Sequence, residues 1–221
     1  MTRPKAVILD IDGTLVDSND AHARSFVDAA EEMGIEADFP TIRRLIGKGA
    51  DKLIPEAFGF EQESDRGAEL DERKGRIFAE RYLSTLAPTP GARALLERFL
   101  ADGLELVVAT SASEDDVAGL LKRAGVDDLI ERATSASDVE ETKPAPDPVL
   151  SALEEVGREP GEVIMIGDTP YDVEAATAAG VRIVGVRSGG WGDAELRGAA
   201  AVYDHPADLL RRYAESPFGG S

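Results

Sequence analysis

Five short runs of mostly apolar residues punctuate the chain, at 5–9, 104–109, 163–166, 181–186 (interrupted by Arg182) and 201–203. Unbroken apolar runs of this length, without alternation, fit strands buried on both faces of a sheet. The stretches between them carry a helical period. Ala92, Leu95, Leu96, Phe99 and Leu100 form one buried stripe, Val117, Leu120, Leu121 and Ala124 a second, and Val149, Leu150, Leu153 and Val156 a third. Ser113 with Asp116 predicts a capping box at the start of the second. Strand–helix alternation predicts an α/β fold, a Rossmann-like parallel sheet with helices on both faces. In such sheets ligands meet the carboxyl ends of the strands.

One stretch breaks the alternation. Residues 18–86 show helical patterns and no strand, bounded by Asp17-Ser18 on one side and Pro88, Pro90 and Gly91 on the other. This predicts an all-helical domain (18–86) inserted into an α/β core (1–17 and 87–221). The tail, 216–221, is predicted to fray.

Composition narrows the function classes. With 221 residues and 43% hydrophobic content, the chain can bury a core domain plus a smaller insert. No apolar run is long enough to span a bilayer. The first residues lead directly into a strand without the features of a secretory signal, and the absence of cysteine excludes disulfides and thiolate metal sites. A cytoplasmic monomer or weak homodimer is expected. A net charge of −19 with no basic stripe argues against nucleic acid as a partner. An anionic ligand would need locally concentrated positive charge.

The strand ends carry the chemistry. The first strand runs into Asp10-Ile11-Asp12-Gly13-Thr14-Leu15, the second into Thr110-Ser111, and the third into Gly167-Asp168-Thr169-Pro170-Tyr171-Asp172. Lys143-Pro144-Ala145-Pro146-Asp147 precedes the helix before the third strand, with two prolines stiffening the loop. Carboxylates, a hydroxyl and one lysine are thereby brought to one sheet edge. Residues i and i+2 of an extended segment share a side. Asp10 and Asp12 can therefore act together, one attacking and the other handling protons. Asp172, a turn after Asp168, either joins the charged cluster or complements the helix macrodipole.

This order of motifs resembles the haloacid dehalogenase superfamily, specifically its phosphatase branch with a helical cap, the group similar to phosphoglycolate phosphatase and β-phosphoglucomutase. Asp10 to Asp17 look like the first family motif, Thr110 the second, Lys143 the third, Asp168 with Asp172 the fourth, and 18–86 the cap. The resemblance implies a five-stranded parallel core, a Mg²⁺ cofactor and an aspartyl-phosphate mechanism. Asp10 would then be the nucleophile and Asp12 the general acid and base, held protonated when substrate is bound. Lys143 and Thr110 would stabilise the phosphoryl oxygens. The metal would sit on Asp10, the Asp12 carbonyl and Asp168, with Asp172 at or beside it. Ser111 would contribute a backbone N–H. His22 matches a position where capped relatives carry a histidine near the acid/base aspartate.

The cap would set specificity. Arg43, Arg44, Lys48 and Lys52 cluster around Gly47 and Gly49 and would either meet an anionic group of the substrate or form a solvated face. Arg187 and Trp191 lie in a glycine-rich loop that would rim the cleft. The expected activity is Mg²⁺-dependent hydrolysis of a small phosphorylated metabolite. A phosphomutase would use the same Asp10 and Asp12, and cap closure against water separates the two. A dehalogenase would leave Asp12 without a task, and a phosphonate hydrolase would need a reactive cap lysine, for which Lys48 and Lys52 are the candidates. A phosphoacceptor signalling domain would place its acidic pair and acceptor on different strands, without a cap. A non-catalytic binding protein would have no use for the complete set.

Overall fold

In the strand Ala6–Leu9 (β1), Val7 and Leu9 enter one hydrophobic core while Ala6 and Ile8 enter another, and all four are fully buried. In the computed structural model, which describes residues 3–219, β1 sits in the middle of a parallel sheet. It pairs with Glu105–Ala109 (β2) on one side and Val163–Gly167 (β4) on the other. The order is β3-β2-β1-β4-β5-β6, with β3 at Ala133–Thr134, β5 at Arg182–Val186 and β6 at Ala201–Tyr203. Nine α-helices are described among these residues, α1 to α4 in the insert and five in the core. Those of the core are Ala92–Ala101 (α5), Glu114–Ala124 (α6), Asp147–Val156 (α7), Pro170–Ala178 (α8) and Pro206–Arg211 (α9). Helices α5, α6 and α9 cover the face that carries Val7 and Leu9, and α7 with α8 cover the other.

The sheet has six strands instead of the expected five. The additional strand, β3, is two residues long and lies on the edge, so no apolar run announces it. Two stripes also end short of expectation: Leu100 and Leu150 are exposed, at 41% and 42%. Ser113 is the N-cap of α6, but its side chain makes no capping bond. Asp116 turns instead toward Lys74 in the insert, at 3.7 Å. The tail does not fray over its described part. Phe218 is buried against the rings of Phe99 and Tyr213, with centroids 4.7 and 6.2 Å away. Gly220 and Ser221 lie outside the described residues.

The insert is helical throughout: Asn19–Glu32 (α1), Phe39–Leu45 (α2), Ala50–Phe58 (α3) and Asp65–Ile77 (α4). Helix α4 widens into a π-helical turn at Phe78–Tyr82. The insert has its own core around Phe26, Ile42, Leu53, Ile54, Leu70 and Ile77. The two chain crossings lie side by side. Asp17 N–H donates to the Ala87 carbonyl and Thr89 N–H to the Leu15 carbonyl, each at 3.0 Å, while the Thr89 hydroxyl donates to the Thr14 carbonyl at 2.7 Å. No helix among the described residues is long and apolar enough to cross a membrane.

Truncating the buried tail aromatic tests how firmly the C-terminus is fixed. Phe218→Ala should destabilise the protein by about 3–5 kcal/mol, the usual cost of removing a buried aromatic ring, as read by denaturant unfolding. A loss below about 1 kcal/mol would return the tail to a frayed state.

Candidate active site

Asp10 leaves the end of β1 while its N–H still bonds the Ile166 carbonyl, at 3.0 Å. The chain then turns so tightly that Thr14, Leu15 and Val16 all direct their N–H groups at the Ile11 carbonyl, at 3.2, 2.7 and 3.1 Å. Gly13 permits this with a φ of +75°. It is also needed for space, because a Cβ there would lie 2.3 Å from Asp168 Oδ2.

Behind Asp10 the side chains form a charged network. Lys143, wholly buried, places Nζ 2.6 Å from Asp10 Oδ1 and 2.8 Å from Asp172 Oδ1. The other Asp172 oxygen accepts from the N–H and hydroxyl of Thr169, at 3.0 and 2.7 Å, and the Thr169 hydroxyl accepts from Asp172 N–H at 3.1 Å. This is a capping box at the start of α8. Asp172 therefore does both things its position allows: it caps the helix and it holds the lysine. Asp168 accepts from the Thr14 hydroxyl at 3.2 Å and from Asn19 Nδ2 at 2.9 Å.

Asp10, Asp168 and Asp172 bring carboxylate oxygens within 4.8 Å of one another, all buried. Three carboxylates face one ammonium, and the charge imbalance is felt. Burial pushes Asp10 up to about 7; Lys143 opposes this while Asp172 and Asp12 add to it. Burial, followed by the charges of Asp10 and Asp172, raises Asp168 well above the usual carboxylate range. Burial works against the Lys143 ammonium, yet the two aspartates outweigh it and raise its pKa. The donor set fits a hard divalent cation such as Mg²⁺: it is all oxygen and carries surplus negative charge. Asn19 Oδ1 is also buried there without a hydrogen-bond partner. The cradle is held open by glycine, since a Cβ at Gly189 would come within 1.6 Å of Asp168 Oδ2.

Asp12 is turned away from this cluster, so only its main-chain carbonyl remains as the metal ligand expected of it. Its Oδ1 accepts from the Ser18 hydroxyl and lies 2.9 Å from His22 Nε2. Burial alone would raise its pKa, but His22, Ser18 and Lys74 hold it below the usual range. These neighbours favour its carboxylate form, whereas the proton expected on Asp12 from the sequence belongs to the substrate-bound state. His22 is buried and stacks on Phe78, with centroids 4.0 Å apart and planes at 10°.

A cleft of about 1040 Å³ opens between the insert and the sheet edge, lined by Asp10, Asp12, His22, Lys48, Thr110 and Ser111 among others. The Thr110 hydroxyl accepts from Ala112 N–H at 3.1 Å and keeps its own proton as a donor. Ser111 Oγ is buried with no partner. Lys48 reaches the cleft, but its ammonium bonds Glu56 and lies 4.9 Å from the Tyr171 ring centroid.

Arg43 is not at the cleft. It bonds Asp20 of α1, within the insert, at 2.7 Å and reaches across to the Gly189 carbonyl of the core at 2.6 Å. Arg44 lies over Trp191, 4.6 Å from its centroid, and Lys52 pairs with Glu141 at 3.1 Å. Arg187 is occupied by Asp193 and Asp204. Most of the basic cluster, expected either at the substrate or on a solvated face, instead fastens the insert to the core. Sequence reasoning missed Ser18, Asn19, Lys74 and Asp116. The first two read as an ordinary helix start, and Lys74 sits in a charged run that resembles a solvated face.

The raised value of Asp10 gives stability a predictable pH dependence. Without metal, Asp10 keeps its proton in the fold up to about pH 7, against about 3.8 ordinarily. A carboxyl raised in this way stabilises fully below about pH 3.8, and the contribution is lost as pH rises through about 7. Asp10→Asn should therefore gain stability relative to the parent across that window in chelator, with a plateau above it. Urea unfolding at stepped pH reads this; a pH-independent difference would contradict the burial argument. Mg²⁺ should stabilise the parent increasingly as pH rises, because its ligands must be ionised.

Residues 7–186 match the family model described as haloacid dehalogenase-like hydrolase. The phosphoglycolate phosphatase of Rhodospirillum rubrum is 34% identical over 220 residues, covering 93% of this chain and 89% of that protein. The phosphoglycolate phosphatase of Chromobacterium violaceum is 33% identical over 210 residues, covering 93% and 94%. The solved structure of a hydrolase from Pseudomonas syringae matches with a TM-score of 0.88 at 31% identity, covering 96% of this chain and 98% of that one. With its catalytic-type aspartates in place and this likeness along nearly its whole length, the chain belongs to the haloacid dehalogenase-like hydrolases, in their phosphatase branch.

Proposed function

We propose that the protein hydrolyses a small phosphate monoester in two steps, through an aspartyl phosphate on Asp10. The observation that carries this reading is the contrast between two aspartates two residues apart. Asp10 faces Lys143 and the buried carboxylates, while Asp12 faces Ser18 and His22. Two carboxylates with divergent surroundings take divergent roles.

In the first step an Asp10 oxygen attacks phosphorus, the bond from phosphorus to the alcohol oxygen breaks, and that oxygen takes a proton from Asp12. In the second, a water attacks phosphorus while giving its proton to Asp12. The bond from phosphorus to Asp10 breaks, inorganic phosphate leaves, and Asp10 is restored. Held by Asp10, the Asp12 carbonyl and Asp168, with Asp172 alongside, Mg²⁺ would supply positive charge to the phosphoryl group. Lys143 contributes the remaining neutralisation. Thr110 and Ser111 supply hydroxyl and N–H donors for phosphoryl oxygens.

The proton on Asp12 has to be acquired against its neighbours, because His22, Ser18 and Lys74 outweigh burial and lower its pKa. A phosphate anion arriving beside it favours proton uptake. His22, with Nε2 at 2.9 Å from Asp12 Oδ1, fixes the carboxyl and is a positioning residue. A cleft of about 1040 Å³ leaves room for water beside the two aspartates, which favours hydrolysis over phosphoryl return to a second alcohol. Likeness to two phosphoglycolate phosphatases supports a small substrate. Phosphoglycolate and a sugar phosphate both fit the volume.

The two aspartates can be separated experimentally. Asp10→Asn should abolish turnover and phosphoenzyme together. Asp12→Asn should cost about 10²–10⁴-fold on esters with poor leaving groups, less on p-nitrophenyl phosphate, and should let phosphoenzyme accumulate there. Rapid-quench trapping of the acyl phosphate decides it: label retained in Asp10→Asn, or equal losses on both ester types in Asp12→Asn, would refute the roles. Chelator should remove activity and Mg²⁺ restore it, with Asp168→Asn requiring more metal. Full turnover in chelator would refute the metal's part.

A further inference from the structure

Away from its floor the cleft is anionic. Beyond Asp10 and Asp12, its described lining includes Asp51, Glu63, Asp71, Glu72, Asp116 and Glu140, against the cations Lys48, Lys74 and Arg76. Each of the three cations is already matched. Lys48 bonds Glu56, and Arg76 pairs with Glu32 at 2.9 Å and Glu80 at 3.5 Å. Lys74 lies 3.7 Å from Asp116. Glu63, Glu72 and Glu140 have no cation within ion-pair distance among the described residues.

Lys74 holds the telling position. Its ammonium lies over Phe78 and Phe26, 5.3 and 5.5 Å from the centroids. Phe78 carries the His22 ring, and His22 bonds Asp12. The leaving alcohol must depart beside Asp12, so Lys74 is the side chain that a carboxylate or second phosphate on that alcohol would seek. Asp116, buried on the core helix α6, answers it first, across the cleft from the insert. An anionic leaving group would have to displace Asp116 from a largely buried pair and then lie among surplus carboxylates.

We infer that Asp116 is a specificity-determining residue which neutralises Lys74, so that the preferred substrate is a phosphate monoester whose alcohol carries no second anionic group. The inference rests on the phosphatase reading and narrows it: a neutral hydroxylated alcohol is preferred and a carboxylate-bearing one disfavoured. Charge at the floor of the site serves the transferring phosphoryl group alone.

Two esters of nearly equal size test this, 2-hydroxyethyl phosphate and phosphoglycolate, with p-nitrophenyl phosphate as the reference. At low ionic strength kcat/KM should favour 2-hydroxyethyl phosphate by about tenfold or more, the scale of one unfavourable charge contact in a partly exposed cleft. Added salt should shrink the gap. Asp116→Asn should move the ratio about tenfold toward phosphoglycolate, mainly through KM, as Lys74 becomes available. Adding Lys74→Met to that variant should cancel the shift. Glu72→Gln, outside the ion pair, should move the ratio the same way by a smaller factor and keeps the test decisive if Asp116→Asn does not fold. A wild-type preference for phosphoglycolate, or a ratio unmoved by both substitutions, overturns the inference while leaving the phosphatase reading in place. No Mg²⁺-dependent phosphate release from any of the three esters overturns both.

Discussion

Three buried carboxylates share a single ammonium at the carboxyl edge of the sheet, and much of the molecule is arranged around that imbalance. Burying ionised groups costs several kcal/mol each unless they are paired and hydrogen-bonded. The surrounding residues offset as much of that cost as uncharged donors can. Thr169 satisfies Asp172 through two donors, while Thr14 and Asn19 satisfy Asp168. What remains is negative charge that no nearby protein group cancels, and it is this remainder that suits the edge to a divalent cation and a phosphoryl group. Glycine at 13 and 189 completes the arrangement by keeping side-chain atoms out of the space around Asp168.

The inserted helices do more than cover this edge. Ser18, Asn19 and His22 all lie at the start of α1, and each bonds a core aspartate: Ser18 and His22 bond Asp12, and Asn19 bonds Asp168. Ser18 gives up side-chain capping of its own helix to do so. A second set of contacts runs along the outer seam, where Arg43 reaches the Gly189 carbonyl and the Tyr171 hydroxyl donates to the Arg44 carbonyl. On the remaining side, Asp51 accepts from the Thr142 hydroxyl and Gly49 N–H donates to that same oxygen at 3.0 Å, one residue from Lys143. The insert is thereby tied on several sides to the groups at the carboxyl edge of the sheet.

Much of this was legible in the sequence, for a physical reason. Strands buried on both faces leave unbroken apolar runs, so β1, β2, β4, β5 and β6 could be placed to within a residue or two, and chemistry at strand ends followed from topology. Asp10, Asp12, Asp168 and Asp172 come to one edge because each sits at or just after an element that the hydrophobic pattern defines, and Lys143 because it lies just before one. The edge strand β3 has only two residues and leaves no such trace. Helix stripes gave the buried side of α5 and α7 but not its width, and Leu100 and Leu150 fall beyond it. Arg43 and Lys74 show the harder case. Both are cap cations in charged surroundings, and what separates a seam strut from a cleft residue is the rotation of a helix against a neighbour far away in sequence.

The paired crossing between the two parts has a consequence for how such a protein can be recombined. Chain entry and exit run side by side, joined by hydrogen bonds from Asp17 to Ala87 and from Thr89 to Leu15, so the insert closes a loop whose ends are already together. A different helical module could be spliced between those points with little strain on the sheet. The splice that preserves chemistry, however, is offset from the one that geometry invites. Cutting at residue 18 would discard Ser18, Asn19 and His22, leaving Asp12 and Asp168 without partners that α1 supplies. The heritable unit of the catalytic edge therefore extends one helical turn into the module that appears separable from it.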